Sequence, residues 1–198
     1  DSFENALAII NLAGRSVDCR YTEKNKADIL NSRINSTKVI GEAIKNCENP
    51  PKVWLNSSTG TIYRHSEDKE MTERNGEIGE GFSVDVATDW EATFNEIHLP
   101  KVRKVLMRTS IVIGKNGGAM KPLIRLTKFG LGGFQGNGSQ YISWLQIMDF
   151  CRIVEWLIKN EAASGVYNVV SPKPVPNKEF MQMLRSILRI PLGLPAMK

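Results

Sequence analysis

The strongest constraint on the fold is an alternation. Short runs that are almost wholly apolar, each closed by polar or glycine residues, are separated by longer stretches whose apolar residues recur at helical spacing. Leu7-Ala8-Ile9-Ile10-Asn11-Leu12-Ala13, ending at Gly14, predicts a strand buried on both faces. From Thr22, an expected N-cap, apolar residues recur at Ile29, Leu30, Ile34, Val39, Ile40, Ala43 and Ile44 and stop before Pro50-Pro51, which predicts one long or bent helix. Val53-Trp54-Leu55-Asn56 reads as a second strand, and a polar, glycine-bearing loop then runs through Gly81. A helix is expected over Val84 to Ile97, and a strand over Val102 to Thr109 that continues towards Ile113 and Gly114. Strand, helix, strand, helix, strand is the order of a doubly wound α/β fold with a parallel sheet, in which ligands sit beyond the carboxyl ends of strands.

The texture changes after residue 114. The spacing predicts a helix near Ala119 to Lys128, a glycine-rich loop over 130–138, and a helix from Asp149 to Lys159 with Ile153, Val154, Trp156 and Leu157 on its apolar side. Val166 to Val170 reads as a short strand. Asn177 is expected to cap a last helix that carries Phe180, Met181, Leu184, Ile187 and Leu188, with Met181, Met183 and Leu184 as its packing face. The chain is therefore divided into residues 1–114 and a smaller lobe, residues 115–198, some of whose elements return to the sheet.

Composition narrows the partners. Lys plus Arg is 26 and Asp plus Glu is 21, a formal charge of +5 spread without a dense basic block. That excess suits an anionic small ligand; no aromatic single-strand platform or zinc spacing supports nucleic acid. Cys19, Cys47 and Cys151 are far apart and match no metal-ligand spacing, and His65 and His98 have no supporting ligand pattern, so no metal is expected. No apolar run approaches the length that spans a bilayer, and a reduced, cytoplasmic protein is the simplest reading.

The segment Asn56-Ser57-Ser58-Thr59-Gly60-Thr61-Ile62-Tyr63 is dense in hydroxyls just beyond a buried strand, with Thr59 placed three residues past its end. Hydroxyls there suit hydrogen bonding to a substrate oxygen; a Ser/Thr turn that satisfies its own backbone is the plainer alternative. This segment resembles the Ser-Ser-x-x-x-Val-Tyr region of the extended short-chain dehydrogenase/reductases, the NAD-dependent epimerase/dehydratase family. Asn11-Leu12-Ala13-Gly14 resembles that family's cofactor-lining strand end. Arg108 to Gly114, Gly136 to Trp144 with Asp149, and Tyr167 to Pro172 resemble motifs of its atypical subgroup of sugar-nucleotide epimerases, some labelled cell-division inhibitors.

The resemblance implies a Rossmann-like sheet in residues 1–114 and a mainly substrate-binding lobe in 115–198. It implies NADP or NAD, with NADP favoured, lined by Asn11, Leu12, Ala13, Gly14, Arg33 and Ser57. It implies Thr59 as the active-site hydroxyl, Thr61 as a second one facing substrate, and Tyr141 and Trp144 as residues that stack on a nucleotide-sugar or other hydroxyl/carbonyl substrate. Arg33 has the plainer alternative of an exposed helix arginine, Arg15 is expected to serve the surface, and Tyr141 and Trp144 have the alternative of packing in the core. Two departures stand out. The family's glycine-rich turn, which holds the pyrophosphate, lies upstream of residue 1, so the sequence reads as the remainder of a longer protein. The family's Tyr-x-x-x-Lys pair is also missing from Gly81 to Glu91, where Asp85 falls near the lysine position. Tyr63 is then the remaining acid/base candidate, and a cofactor-binding sensor or interaction protein is the alternative to an enzyme. Pairing into a homodimer through helices is common in the family and is left open here.

Overall fold

The computed structural model describes residues 3–114, 118 and 120–196. The chain divides into two units: Asp1–Arg64, Thr72–Thr109 and Val154–Asn168 in one; His65–Met71, Ser110–Ile153 and Val169–Lys198 in the other.

The first unit is built on a sheet. Strands β1 (Ala8–Asn11), β2 (Val53–Thr59) and β3 (Arg103–Thr109) run parallel, with Asn11 opposite Asn56 and Thr59 opposite Thr109, and β7 (Gly165–Val169) follows β3 in the order β1-β2-β3-β7. The residues driving this arrangement are apolar on both faces of the central strands: Val53, Trp54, Leu55, Val105, Leu106 and Met107 are all buried. Helix α1 (Glu23–Lys45) starts as the sequence predicts, with the Thr22 side chain accepting the Asn25 N–H. Helix α2 (Phe82–Glu96) packs against α1; a Cβ at Gly41 would come within 2.7 Å of Ile97, so the close approach of the two helices depends on that glycine. Trp54 and Phe94 meet edge to face at 4.6 Å in a cluster with Ile44, Ile97, Leu99, Val102 and Leu106, each fully buried aliphatic contributing about 1.5–3 kcal/mol.

Lys104 fixes the end of α2. Its ammonium donates to the carbonyls of Phe94 at 2.6 Å and Ile97 at 2.8 Å, and burial holds it below its ordinary pKa. Arg103 does the same for α4 (Ile147–Lys159), donating to the carbonyls of Leu157, Ile158 and Ala163.

Several expectations are corrected in this unit. β1 is not buried on both faces: Ile10 is 42% exposed, and among the described residues β1 pairs with β2 alone. β2 does not stop at Asn56 but carries its ladder to Thr59, so Thr59 is the last strand residue. β3 stops at Thr109. Trp156 does not join the apolar side of α4; it is half exposed and meets Tyr167 edge-on.

In the second unit, β4 (Ile111–Ile113) pairs in parallel with β6 (Trp144–Gln146), and β5 (Tyr141–Ile142) pairs antiparallel with β8 (Val175–Pro176), so Ile111 to Ile113 leave the β3 line for a separate small sheet. Helix α3 (Met120–Lys128) packs with α5 (Asn177–Leu188); Ala119, the expected start of α3, lies outside the described residues. Asn177 does not cap α5 but opens it, and its side-chain oxygen accepts the Gln135 N–H at 2.8 Å. Helix α4 begins at Ile147, two residues before the expected Asp149, which lies in its first turn. The Gln146 side chain accepts the N–H groups of Met148 and Asp149, and Asp149 pairs with Arg152. On α5, Met181 and Leu184 are buried, whereas Met183 is exposed.

Candidate functional site

At the carboxyl ends of β1 and β2 the first unit encloses a cavity of about 260 Å³. Three walls form it, and each has a local cause. The first is backbone: as β1 ends, Asn11 turns inward and its side-chain oxygen accepts the Ala13 N–H at 3.0 Å, which curls Leu12, Ala13 and Gly14 over the opening. Asn11 itself is buried beneath that wall, donating to Asn56 Oδ1 at 2.7 Å and to Thr37 at 3.4 Å.

The second wall is the row of hydroxyls at the end of β2. Thr59 and Thr61 oxygens lie 2.8 Å apart, held by the 3-10 turn Gly60–Ile62, in which Thr59 Oγ1 also accepts the Thr61 N–H at 3.1 Å. The pair therefore keeps one hydroxyl hydrogen to offer outward. Ser57 gives its hydrogen to the Ser58 carbonyl at 3.3 Å, and Ser58 gives its own to Glu91 at 2.6 Å. Both serines are left as acceptors towards the cavity.

The third wall is the face formed by α1 and α2. Phe82, Ser83, Val86 and Trp90 line it from α2, and Ile29 and Arg33 from α1, with Val17 and Tyr21 from the segment before α1. Arg33 lies with its guanidinium 5.3 Å from the centre of the Trp90 ring, and its Nη1 donates to the carbonyls of Ile29 at 2.9 Å and Arg15 at 3.1 Å. Burial lowers its pKa from the ordinary arginine value, partly opposed by the charge of Tyr21. Arg33 is thus not an exposed helix arginine. Arg15 does serve the surface, paired with Asp28 and bonded to Asn25.

Two residues weighed for proton chemistry lie outside the lining. Asp85, near the family's lysine position, is exposed and does not line the cavity, whereas Phe82 and Val86, spaced i and i+4 on α2, do. Tyr63 is not in the lining. Its hydroxyl donates to Asn168 Oδ1 at 2.8 Å and accepts from Arg108 at 2.9 Å, and the Arg108 guanidinium lies 5.0 Å from the centre of its ring. Arg108 in turn makes a two-point pair with Glu91, at 2.9 and 2.7 Å, that is almost fully buried. The bond to Glu91 raises the Arg108 pKa further above its already high ordinary value, against the opposing effect of burial.

Leu12, Ala13, Gly14, Arg33, Ser57, Thr59 and Thr61 are thus brought together around one space. Tyr141 and Trp144 belong to the second unit, where Tyr141 is exposed on β5 and Trp144 donates to the Lys173 carbonyl at 3.2 Å. The sequence does not single out Glu91, Arg108, Trp90 or Tyr21 as residues of this site, and nothing in it signals that Glu91 reaches Arg108.

A model of the family described as "NAD dependent epimerase/dehydratase family" matches residues 2–170. The chain belongs to that family. Among its relatives, the epimerase family protein YfhF of Bacillus subtilis is 34% identical over 186 residues, covering 94% of this chain and 61% of the relative. The epimerase family protein SDR39U1 of mouse is 31% identical, covering 94% of this chain and 65% of the relative. The crystal structure of human epimerase family protein SDR39U1 (isoform 2) with NADPH superposes with a TM-score of 0.90 at 30% identity, covering 97% of this chain and 66% of that one. The chain spans somewhat under two thirds of the length of these relatives. Its α/β fold around a parallel sheet is theirs.

Proposed function

We propose that this family member binds NADP(H) with one end in the cavity at the ends of β1 and β2, and acts there on the hydroxyl or carbonyl group of a small substrate such as a sugar nucleotide. The observation that carries this reading is the convergence of a bare backbone curve at Leu12 to Gly14, a hydroxyl row at Ser57 to Thr61 and an apolar helix face on one space. About 260 Å³ falls below the roughly 300–1,000 Å³ of pockets that enclose a whole ligand, so the space fits the nicotinamide end rather than the entire dinucleotide. Gly14 fits as well: a Cβ there would press to 3.1 Å against the Arg33 side chain, which in this reading faces the cofactor. The NADPH in the human relative's structure favours NADP over NAD.

When bound, the nicotinamide supplies or accepts hydride at the substrate carbon. Thr59 and Thr61 orient the substrate oxygen with the one hydroxyl hydrogen their pairing leaves free. Ser57 and Ser58, with their hydrogens given away, accept from N–H or O–H donors of the ligand.

A second reading, a dinucleotide sensor without turnover, is favoured by the inward positions of α2, where Phe82 and Val86 transfer no proton. Fluorescence titration of the full-length protein with NADPH and NADH, followed by a panel of sugar nucleotides and small carbonyls, separates the two. Binding of NADPH with substrate consumption supports the enzyme, and binding with no consumption supports the sensor. Failure to bind either dinucleotide removes both.

A further inference from the structure

Among the described residues that line the cavity, the ionisable side chains are Tyr21 and Arg33. Both stand on the α1 side, and their surroundings differ from those of every other candidate for proton transfer. Tyr63 has its hydroxyl engaged twice. Tyr21 sits edge-on against Phe82 with ring centroids 5.3 Å apart, is 43% exposed, and makes no hydrogen bond through its hydroxyl within the described residues. Phe82 thus holds the Tyr21 ring from α2, while Trp90, two turns further along α2, holds Arg33. Arg33 spends Nη1 on two carbonyls, which fixes its plane; its remaining N–H groups have no partner within the described residues. Among the described residues, no carboxylate lines the cavity to neutralise it.

We propose that Tyr21 is the proton donor of this site and Arg33 the cation beside it, so that the α1 wall supplies the phenol and the positive charge that the inward face of α2 lacks. This rests on the reading above that a reduced nicotinamide dinucleotide binds here. In the reductive direction hydride arrives at the carbonyl carbon with its electron pair, the C=O π pair moves onto oxygen, and the Tyr21 O–H proton passes to that oxygen to give the alcohol. The phenolate left behind faces the Arg33 guanidinium and regains its proton from water. Arg33 is a positioning residue in this step, and its side chain also meets the cofactor.

The test uses the full-length protein with NADPH as the probe. Nitration of Tyr21 by tetranitromethane, mapped on peptides, is expected to slow at least about fivefold when NADPH is bound, because the contact excludes the reagent. Tyr21→Phe keeps NADPH affinity within about twofold yet loses about 100-fold or more in kcat for carbonyl reduction, the usual weight of a general acid. Arg33→Met weakens NADPH binding about tenfold, in keeping with loss of a charge-assisted contact. The proposal is overturned if NADPH binds while Tyr21 nitrates at its free rate, if Tyr21→Phe turns over like wild type, or if the NADPH-bound protein reduces no carbonyl in the panel. A wild-type protein that does not bind NADPH at all overturns the function reading instead, which distinguishes the two failures.

Discussion

The two helical walls of the cavity are built from similar materials and do different things. The α2 wall presents Phe82, Ser83, Val86 and Trp90 inward and keeps its buried charge, Glu91, turned away towards Arg108 and Ser58. The α1 wall presents Tyr21 and Arg33 to the open space. Polar anchors of α2 lie away from its inward positions, in the Glu91 pair with Arg108 and the Lys104 cap. The α1 wall is tied to α2 and β1 through Thr37, which accepts from Trp90 Nε1 at 2.9 Å and from Asn11.

This contrast can be broken at its strongest point first. Arg108→Leu leaves Glu91 buried with no cation and only the Ser58 hydroxyl, and is expected to cost about 3–5 kcal/mol in urea unfolding, because the carboxylate loses both bonds to the guanidinium. A loss below about 1 kcal/mol would mean that α2 is not anchored by this pair. Thr37→Val keeps volume but strands the Trp90 indole N–H, with an expected loss of about 1–3 kcal/mol and a weaker hold of Trp90 on Arg33. Thermal unfolding with and without NADPH would check both parts. Gly41→Ala forces a methyl against Ile97, where overpacking of about 1–3 kcal/mol is partly offset by the roughly 1 kcal/mol gained in helix propensity, leaving a net loss of about 1 kcal/mol. Ser58→Ala removes one neutral-to-charged bond while Arg108 still satisfies Glu91, so its loss is the smallest, about 1 kcal/mol or less by urea denaturation.

The same contrast explains what could be read in advance. The parallel strands and the start of α1 were readable because their signals are local: apolar runs in β1 and β2, and Thr22 ahead of a helical pattern. The hydroxyls at Ser57 to Thr61 were readable because strand ends carry sites in such folds. That Asp85 lies exposed outside the cavity was not readable, because sequence position alone does not say which face of α2 meets the site. The exposure of Ile10 was not readable, because an apolar run does not say what packs on each face of its strand. Tyr21 carried no local signal at all. Its place at the cavity comes from a loop that folds back onto Phe82, a contact between segments far apart in the chain.

The central claim is that both walls close on the nicotinamide end of a dinucleotide. Amide hydrogen exchange of the full-length protein, with and without saturating NADPH, tests it most directly. The account predicts slowed exchange at Leu12 to Gly14, around Tyr21 and in the first turns of α2, with the strand cores at Trp54 and Val105 unchanged. Saturable NADPH binding that leaves all three of those segments exchanging at their free rates would contradict it.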